Sequence, residues 1–146
     1  MTGYLLVLSG PNLSSLGARD PAVYGTATLD EILAMTAAAA AAHGLGVRHV
    51  QSNHEGELID AIERREDGCV GILANLGALT HTSVALHDAL EIVGCPVVEV
   101  HLSNPAAREP FRHTSAIAPV TAGSIAGFGP LSYELAVDAL ARLAQQ

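Results

Sequence analysis

The sequence predicts an α/β fold, a flavodoxin-like, doubly wound three-layer sandwich around a five-stranded parallel sheet. Three observations predict it. Short, near-continuous apolar runs alternate with helix-patterned segments along the whole chain, and strands of that kind belong to a parallel sheet covered on both faces. The length of 146 residues suits one domain with a real core, assigned to residues 1–146. Polar residues collect just beyond four of the strands, where doubly wound sheets place their ligand crevice.

The elements follow in order. Leu5 to Leu8 reads as the first strand, closed by Ser9-Gly10-Pro11-Asn12. The preceding Met1-Thr2-Gly3 has no basic flank and no small-residue cleavage site, so the start reads as strand and not signal peptide. Thr28-Leu29-Asp30-Glu31 opens a helix with a hydroxyl cap and early acids. That helix runs through an alanine tract to His43-Gly44, a good stop. Val47 to Val50 is the second strand, Glu55 to Arg65 the second helix, and Cys69 to Leu73 the third strand. Thr80 to Ile92 reads as the third helix and Pro96 to Val100 as the fourth strand. Ile117 to Thr121 is the candidate for the fifth strand, and Leu131 to Leu143 is the closing helix.

Composition narrows the chemistry. Net charge is −8, aromatic residues are 3% of the chain, and there is no basic tract, which argues against nucleic acid as a partner. No apolar run reaches membrane-spanning length, so no membrane partner is expected. The two cysteines, Cys69 and Cys95, lie beside or inside apolar segments and read as buried free thiols of a cytoplasmic protein. All seven basic residues are arginine; lysine is absent. Schiff-base catalysis and a phosphate-binding P-loop both require lysine, so both are excluded.

Four strand ends carry the candidate site: Gly10-Pro11-Asn12, Gln51-Ser52-Asn53-His54, Asn75-Leu76-Gly77 and His101-Leu102-Ser103. Glu99 and His101 are two apart on one strand and point to the same side. A carboxylate there favours the imidazolium and fixes the ring. The connection from Asn12 to Thr28 is long for a strand-to-helix loop and reads as a lid hinged at Gly17 and Gly25. It carries Tyr24, either a packing residue or a base. A phenol is a weak base near neutral pH unless cations favour its anion, and Arg19 or Arg112 is the expected supplier. His81 stands on the expected first turn of the third helix, where free N–H groups suit an anion. His54-Glu55-Gly56-Glu57 does not have metal-ligand spacing and reads as helix capping. The late glycines Gly123, Gly127 and Gly129 form no dinucleotide fingerprint, and no nucleophile elbow is present.

Several longer motifs resemble the type II 3-dehydroquinate dehydratases. They are Ser9-Gly10-Pro11-Asn12-Leu13, Arg19-Asp20-Pro21 with Tyr24-Gly25, the run from Gln51 to Asp60, and His81-Thr82-Ser83-Val84-Ala85-Leu86 with Asp88. The last is Glu99-Val100-His101-Leu102-Ser103-Asn104, continuing to Arg108-Glu109-Pro110-Phe111-Arg112-His113. The resemblance runs in order along essentially the whole chain. It implies reversible anti elimination of water from 3-dehydroquinate through an enolate, giving 3-dehydroshikimate, with no metal and no cofactor. It also implies a homo-oligomer, a homododecamer built from trimers. The missing lysine agrees independently with an enolate route in place of a Schiff base.

By position, the resemblance implies that Tyr24, as tyrosinate, takes the proton beside the ketone, with Arg19 favouring its anion. Asn12, with a water, would stabilise the enolate oxygen. His101, held by Glu99, would protonate the leaving hydroxyl. Asn75 and the backbone at Leu102 and Ser103 would hold the substrate carboxylate, His81 and Arg112 the ring hydroxyls, and Asp88 would reach a neighbouring subunit's site. This sequence departs from the family pattern at Ser9, Ser14, Asp20, Leu76, Ala106, Thr114 and Ala116, none of them a proposed catalytic group. The alternative of a different class is a binding module that keeps the pocket and has lost turnover; paired acid and base candidates argue against it.

Overall fold

The computed structural model describes residues 3–146; the expected leader-free start at Met1-Thr2 lies outside the described residues. Five strands form one all-parallel sheet in the order β2-β1-β3-β4-β5. They are β1 (Tyr4–Ser9), β2 (Gly46–Gln51), β3 (Cys69–Asn75), β4 (Val97–His101) and β5 (Gly123–Ala126). The helices are α1 (Pro21–Tyr24), α2 (Leu29–Ala41), α3 (Glu55–Glu63), α4 (Val84–Glu91) and α5 (Leu131–Leu143). This is the doubly wound sandwich that the alternating pattern predicts.

Strand alternation splits the core into two layers. Leu5, Val7, Leu73, Val98 and Val100 face α2 and α5, where they meet Ile32, Ala136 and Leu140. Leu6, Leu8, Ile72, Ala74 and Val97 face α3 and α4, where they meet Leu58, Ile62, Leu86 and Leu90. Every residue of β1 and β4 is buried, which is why these strands read as unbroken apolar runs. The order of the strands reverses at β1, so the crevice opens between the ends of β1 and β3. Among the described residues, no helix is long and apolar enough to cross a membrane.

Three local expectations are corrected. The segment from Ile117 to Thr121 is not a strand: Ala118–Val120 form a 3-10 turn, since Pro119 has no N–H for a ladder. The fifth strand is instead Gly123–Ala126, paired from Val98↔Gly123 to His101↔Ala126. The third helix does not begin at Thr80. Gly77–His81 form a 3-10 turn, and α4 starts at Val84 behind Ser83, whose hydroxyl accepts from Leu86 N at 2.9 Å. Thr80 is buried and, among the described residues, its hydroxyl has no hydrogen-bond partner. The cysteines are free but half-buried, not fully enclosed.

Candidate active site

The loops after β1 and β3 are fastened to each other before any side chain is considered. Gly10 N donates to Asn75 O at 2.8 Å. A Cβ on Gly10 would lie 2.1 Å from Leu76 O, and one on Gly77, at φ +57°, would lie 2.9 Å from Pro11 O. Only glycine permits backbones this close. Asn12 takes the left-handed conformation at φ 68° and its N–H donates to Asn53 Oδ1 at 3.0 Å. A cavity opens above this junction. Asn12, Arg19 and Tyr24 line it from the segment after β1, Asn75 from the last position of β3, and His81 from the turn beyond it. His101, Leu102 and Ser103 line it from the end of β4, with Arg108 and Arg112 from the loop beyond. Of the residues predicted from sequence, ten therefore belong to one constellation: these eight, Arg112, and Glu99, which stands behind His101.

On one wall, Tyr24 ends the short helix α1, whose start is capped by Asp20 accepting from Ala22 N at 3.0 Å. The phenol oxygen accepts from two guanidiniums, Arg19 Nη2 at 2.7 Å and Arg108 Nη2 at 2.8 Å. Arg19 also lies 3.8 Å from the ring centroid. Arg108 reaches Ser103 Oγ with Nη1 at 3.3 Å, so its fork spans the lid and the end of β4. Arg112 was expected as an alternative partner for Tyr24, but its Nε pairs with Glu109 Oε2 at 2.5 Å.

The opposite wall carries the imidazoles. His101 Nε2 lies 2.6 Å from Glu99 Oε2, and both side chains are buried. Burial alone would push the Glu99 carboxyl up, but hydrogen bonds from His101 and Ser115, with the nearby His101 and His81 rings, hold it below the ordinary range. His81 Nδ1 donates to Thr114 O at 2.8 Å, which fixes its tautomer because a carbonyl only accepts. The two rings lie face to face, 6.3 Å between centroids and 16° apart.

The carbonyl and amide of Asn75 are set from below. Its Nδ2 donates to Tyr133 Oη at 2.9 Å, and its Oδ1 accepts from Gly77 N at 3.4 Å. Asp88 is not brought into this cavity: it is exposed on α4 beside His87, with Oδ1 3.0 Å from His87 Nδ1. The early acids of α3 accept from serine hydroxyls, Glu57 from Ser52 at 2.5 Å and Glu55 from Ser83, and the start of α3 at His54 has no side-chain cap hydrogen bond, so the expected capping is not what these acids do. Arg108, Ser115 and Tyr133 are the functional candidates that sequence reasoning missed. The available signal for Arg108 was scarcity, since in a chain without lysine each arginine near a strand end deserves equal weight.

Three of the departures from the family pattern have local partners. Ser9 Oγ shares a hydrogen bond with His49 Nε2 at 2.8 Å, and burial pushes the His49 imidazole down against the opposing effect of Asp30. Thr114 and Ala116 act through backbone, the first accepting from His81 and the second donating to Thr80 O at 2.7 Å.

Comparison with known proteins identifies the family. Residues 3–141 match the family model described as dehydroquinase class II. A protein named 3-dehydroquinate dehydratase 1 from Corynebacterium efficiens is 55% identical over 141 residues, covering 97% of this chain and 93% of its own. A 3-dehydroquinate dehydratase from Azorhizobium caulinodans is likewise 55% identical over 141 residues, covering 97% and 95%. The crystal structure of a type II dehydroquinase from Butyrivibrio crossotus is 40% identical and superposes with a TM-score of 0.92 over 95% of this chain and 97% of that one. Fold and sequence agree, and the chain belongs to the class II dehydroquinase family.

Proposed function

We propose that this protein is a 3-dehydroquinate dehydratase, a hydro-lyase that removes water from 3-dehydroquinate to give 3-dehydroshikimate, reversibly and by anti elimination. The observation that carries the reading is one phenol oxygen gripped by two guanidiniums across a cavity from a buried carboxylate–imidazole pair. The two guanidiniums favour negative charge on Tyr24, which takes the proton beside the substrate ketone. Asn12, with a water, stabilises the enolate oxygen that develops. His101, oriented by Glu99, then protonates the departing hydroxyl. Asn75 and the N–H groups of Leu102 and Ser103 receive the substrate carboxylate, while His81 and Arg112 hold ring hydroxyls. These steps use the chain's own side chains and backbone N–H groups with a water, and call for no metal or cofactor.

Asp88, exposed on α4, completes the site of a neighbouring subunit in this reading, within a homododecamer built from trimers. We place the enzyme in the cytoplasm, as one domain spanning residues 1–146, acting in the shikimate pathway or in quinate breakdown. Incubating purified protein with 3-dehydroquinate and following conjugated-enone absorbance tests the assignment. Absorbance should rise with the wild type, and Tyr24→Phe should abolish the rise while substrate still binds. Wild-type protein that binds without any absorbance change would sink the assignment, and a fully active Tyr24→Phe would remove the base.

A further inference from the structure

The segment after the arginine-bearing loop runs back along the end of the sheet and holds the imidazole wall at three consecutive residues. Thr114 O accepts from His81, Ala116 N donates to Thr80 O, and between them Ser115 Oγ donates to Glu99 Oε1 at 2.5 Å. Glu99 is only 5% exposed, and its other oxygen is taken by His101. The direction of the serine hydrogen bond is forced. Ser115 Oγ already accepts from Ala118 N at 3.0 Å, and its single proton goes to the carboxylate, which when ionised can only accept.

Resting on the reading of His101 as the acid, we propose that Ser115 is a positioning residue that keeps Glu99 an acceptor and so keeps His101 an imidazolium aimed into the cavity. The titratable groups acting on Glu99 are His101 from its own strand and His81 from the turn after β3. Both favour the carboxylate, and the serine adds a neutral donor on the oxygen they leave open. Without that donor, a buried carboxylate oxygen loses its partner, and the proton shared with His101 Nε2 moves toward the carboxyl. The ring is then neutral, and neutral imidazole is a far weaker acid than imidazolium. The tight turn at Ala118–Val120 gains a role from this: its Ala118 N–H orients the serine.

The test compares Ser115→Ala and Ser115→Thr with the wild type in turnover of 3-dehydroquinate across pH ~5–9. For the alanine variant, kcat should fall about tenfold with KM within about twofold, and the acidic limb of kcat should move to higher pH. The threonine variant, which keeps the hydroxyl, should retain the wild-type profile. A purely structural serine would lower thermal stability and leave the profile in place. Nitrogen-15 NMR of the His101 ring without substrate reads the same link independently of turnover. The alanine variant should show neutral-imidazole shifts at a pH where the wild type shows imidazolium. Wild-type kcat and acidic limb in the alanine variant, or unchanged ring signals, would overturn the proposal. If the alanine variant does not fold, Ser115→Cys keeps the volume with only a weak donor and carries the same expectation. If no form turns over substrate, the dehydratase reading fails, while the NMR comparison still decides the link from Ser115 to His101.

Discussion

Replacing Arg108 with methionine removes one of two cations from the phenol oxygen while keeping most of the side chain's apolar stem. The guanidinium donates to Tyr24 Oη at 2.8 Å and to Ser103 Oγ at 3.3 Å. A hydrogen bond to a charged group contributes about 1.5–3 kcal/mol. If the tyrosinate is the base, about 2 kcal/mol of that is lost on the path to the enolate, and kcat falls about 30-fold. Arg19→Met should fall by a similar factor, since Arg19 donates to the same oxygen at 2.7 Å. Either cation partly compensates for loss of the other, so the double variant should be slower than the product of the single effects. Arg112→Met is the contrast: its guanidinium lies on Glu109, so its loss should raise KM more than it lowers kcat. The assay is the initial rate of enone absorbance against substrate concentration. An Arg108→Met enzyme within twofold of wild-type kcat would refute the reasoning, as would an Arg112→Met enzyme slowed just as far in kcat.

Tyr133 gives a prediction in pH. Burial pushes its phenol up to about 12, against a smaller opposing effect of the Asn75 hydrogen bond. The folded chain therefore keeps this proton after the unfolded chain, near its ordinary value of ~10, has released it. The stabilisation is fully present below pH ~10 and is lost as pH rises to about 12, by roughly 3 kcal/mol. Urea melts at pH ~9 and ~11 should show about half of that loss in the wild type, roughly 1.4 kcal/mol, and Tyr133→Phe should shrink it; an identical loss in both would contradict the assignment. The same substitution leaves the Asn75 amide without its partner, costing about 1–3 kcal/mol at neutral pH and raising KM. At the opposite end of the sheet, a hydrogen bond from Cys95, working against burial, pulls the Cys69 thiol down to about 6, while Cys95 is pushed up. Iodoacetamide at pH ~7 should label Cys69 at least about tenfold faster than Cys95 by peptide mass spectrometry, and faster labelling of Cys95 would contradict this.

The elements that were legible in sequence are those whose pattern matches their burial. The strands β1, β3 and β4 are enclosed on both faces and read as apolar runs, and α2 and α5 carry long helical patterns with clear ends. The fifth strand was hidden because Gly123–Ala126 is short, small-sided and at an edge, beside a more strand-like stretch interrupted by Pro119. The start of the third helix was ambiguous because Thr80, Thr82 and Ser83 all offer a capping hydroxyl within four residues, and spacing cannot choose among them. The site follows the same logic. Glu99 and His101 were paired from the two-residue period of a strand. Between residue 104 and β5 the chain has no long period, so sequence could not tell which of Arg108 and Arg112 meets the phenol. Ser115 and Tyr133 act on other site residues from a distance in sequence, and only the packed fold shows whom they touch. Asp88 illustrates the converse: its expected role depends on a second subunit, and one chain leaves it at the surface.

The crossing of Gly10 beneath Leu76 has a mechanical consequence. Asn12, on the loop after β1, and Asn75, at the end of β3, are carried by segments whose main chains touch, so the spacing between their two subsites is a property of backbone and not of side-chain choice. It works as a ruler. Mutations that repack the sheet move both ends of that ruler together, whereas an insertion in either loop spoils both at once. The lid has no such backbone lock at Tyr24, where Arg108 is the guanidinium that reaches it from the chain beyond β4. Variation in how tightly the enzyme closes can thus accumulate in the lid without resetting the length that the floor measures.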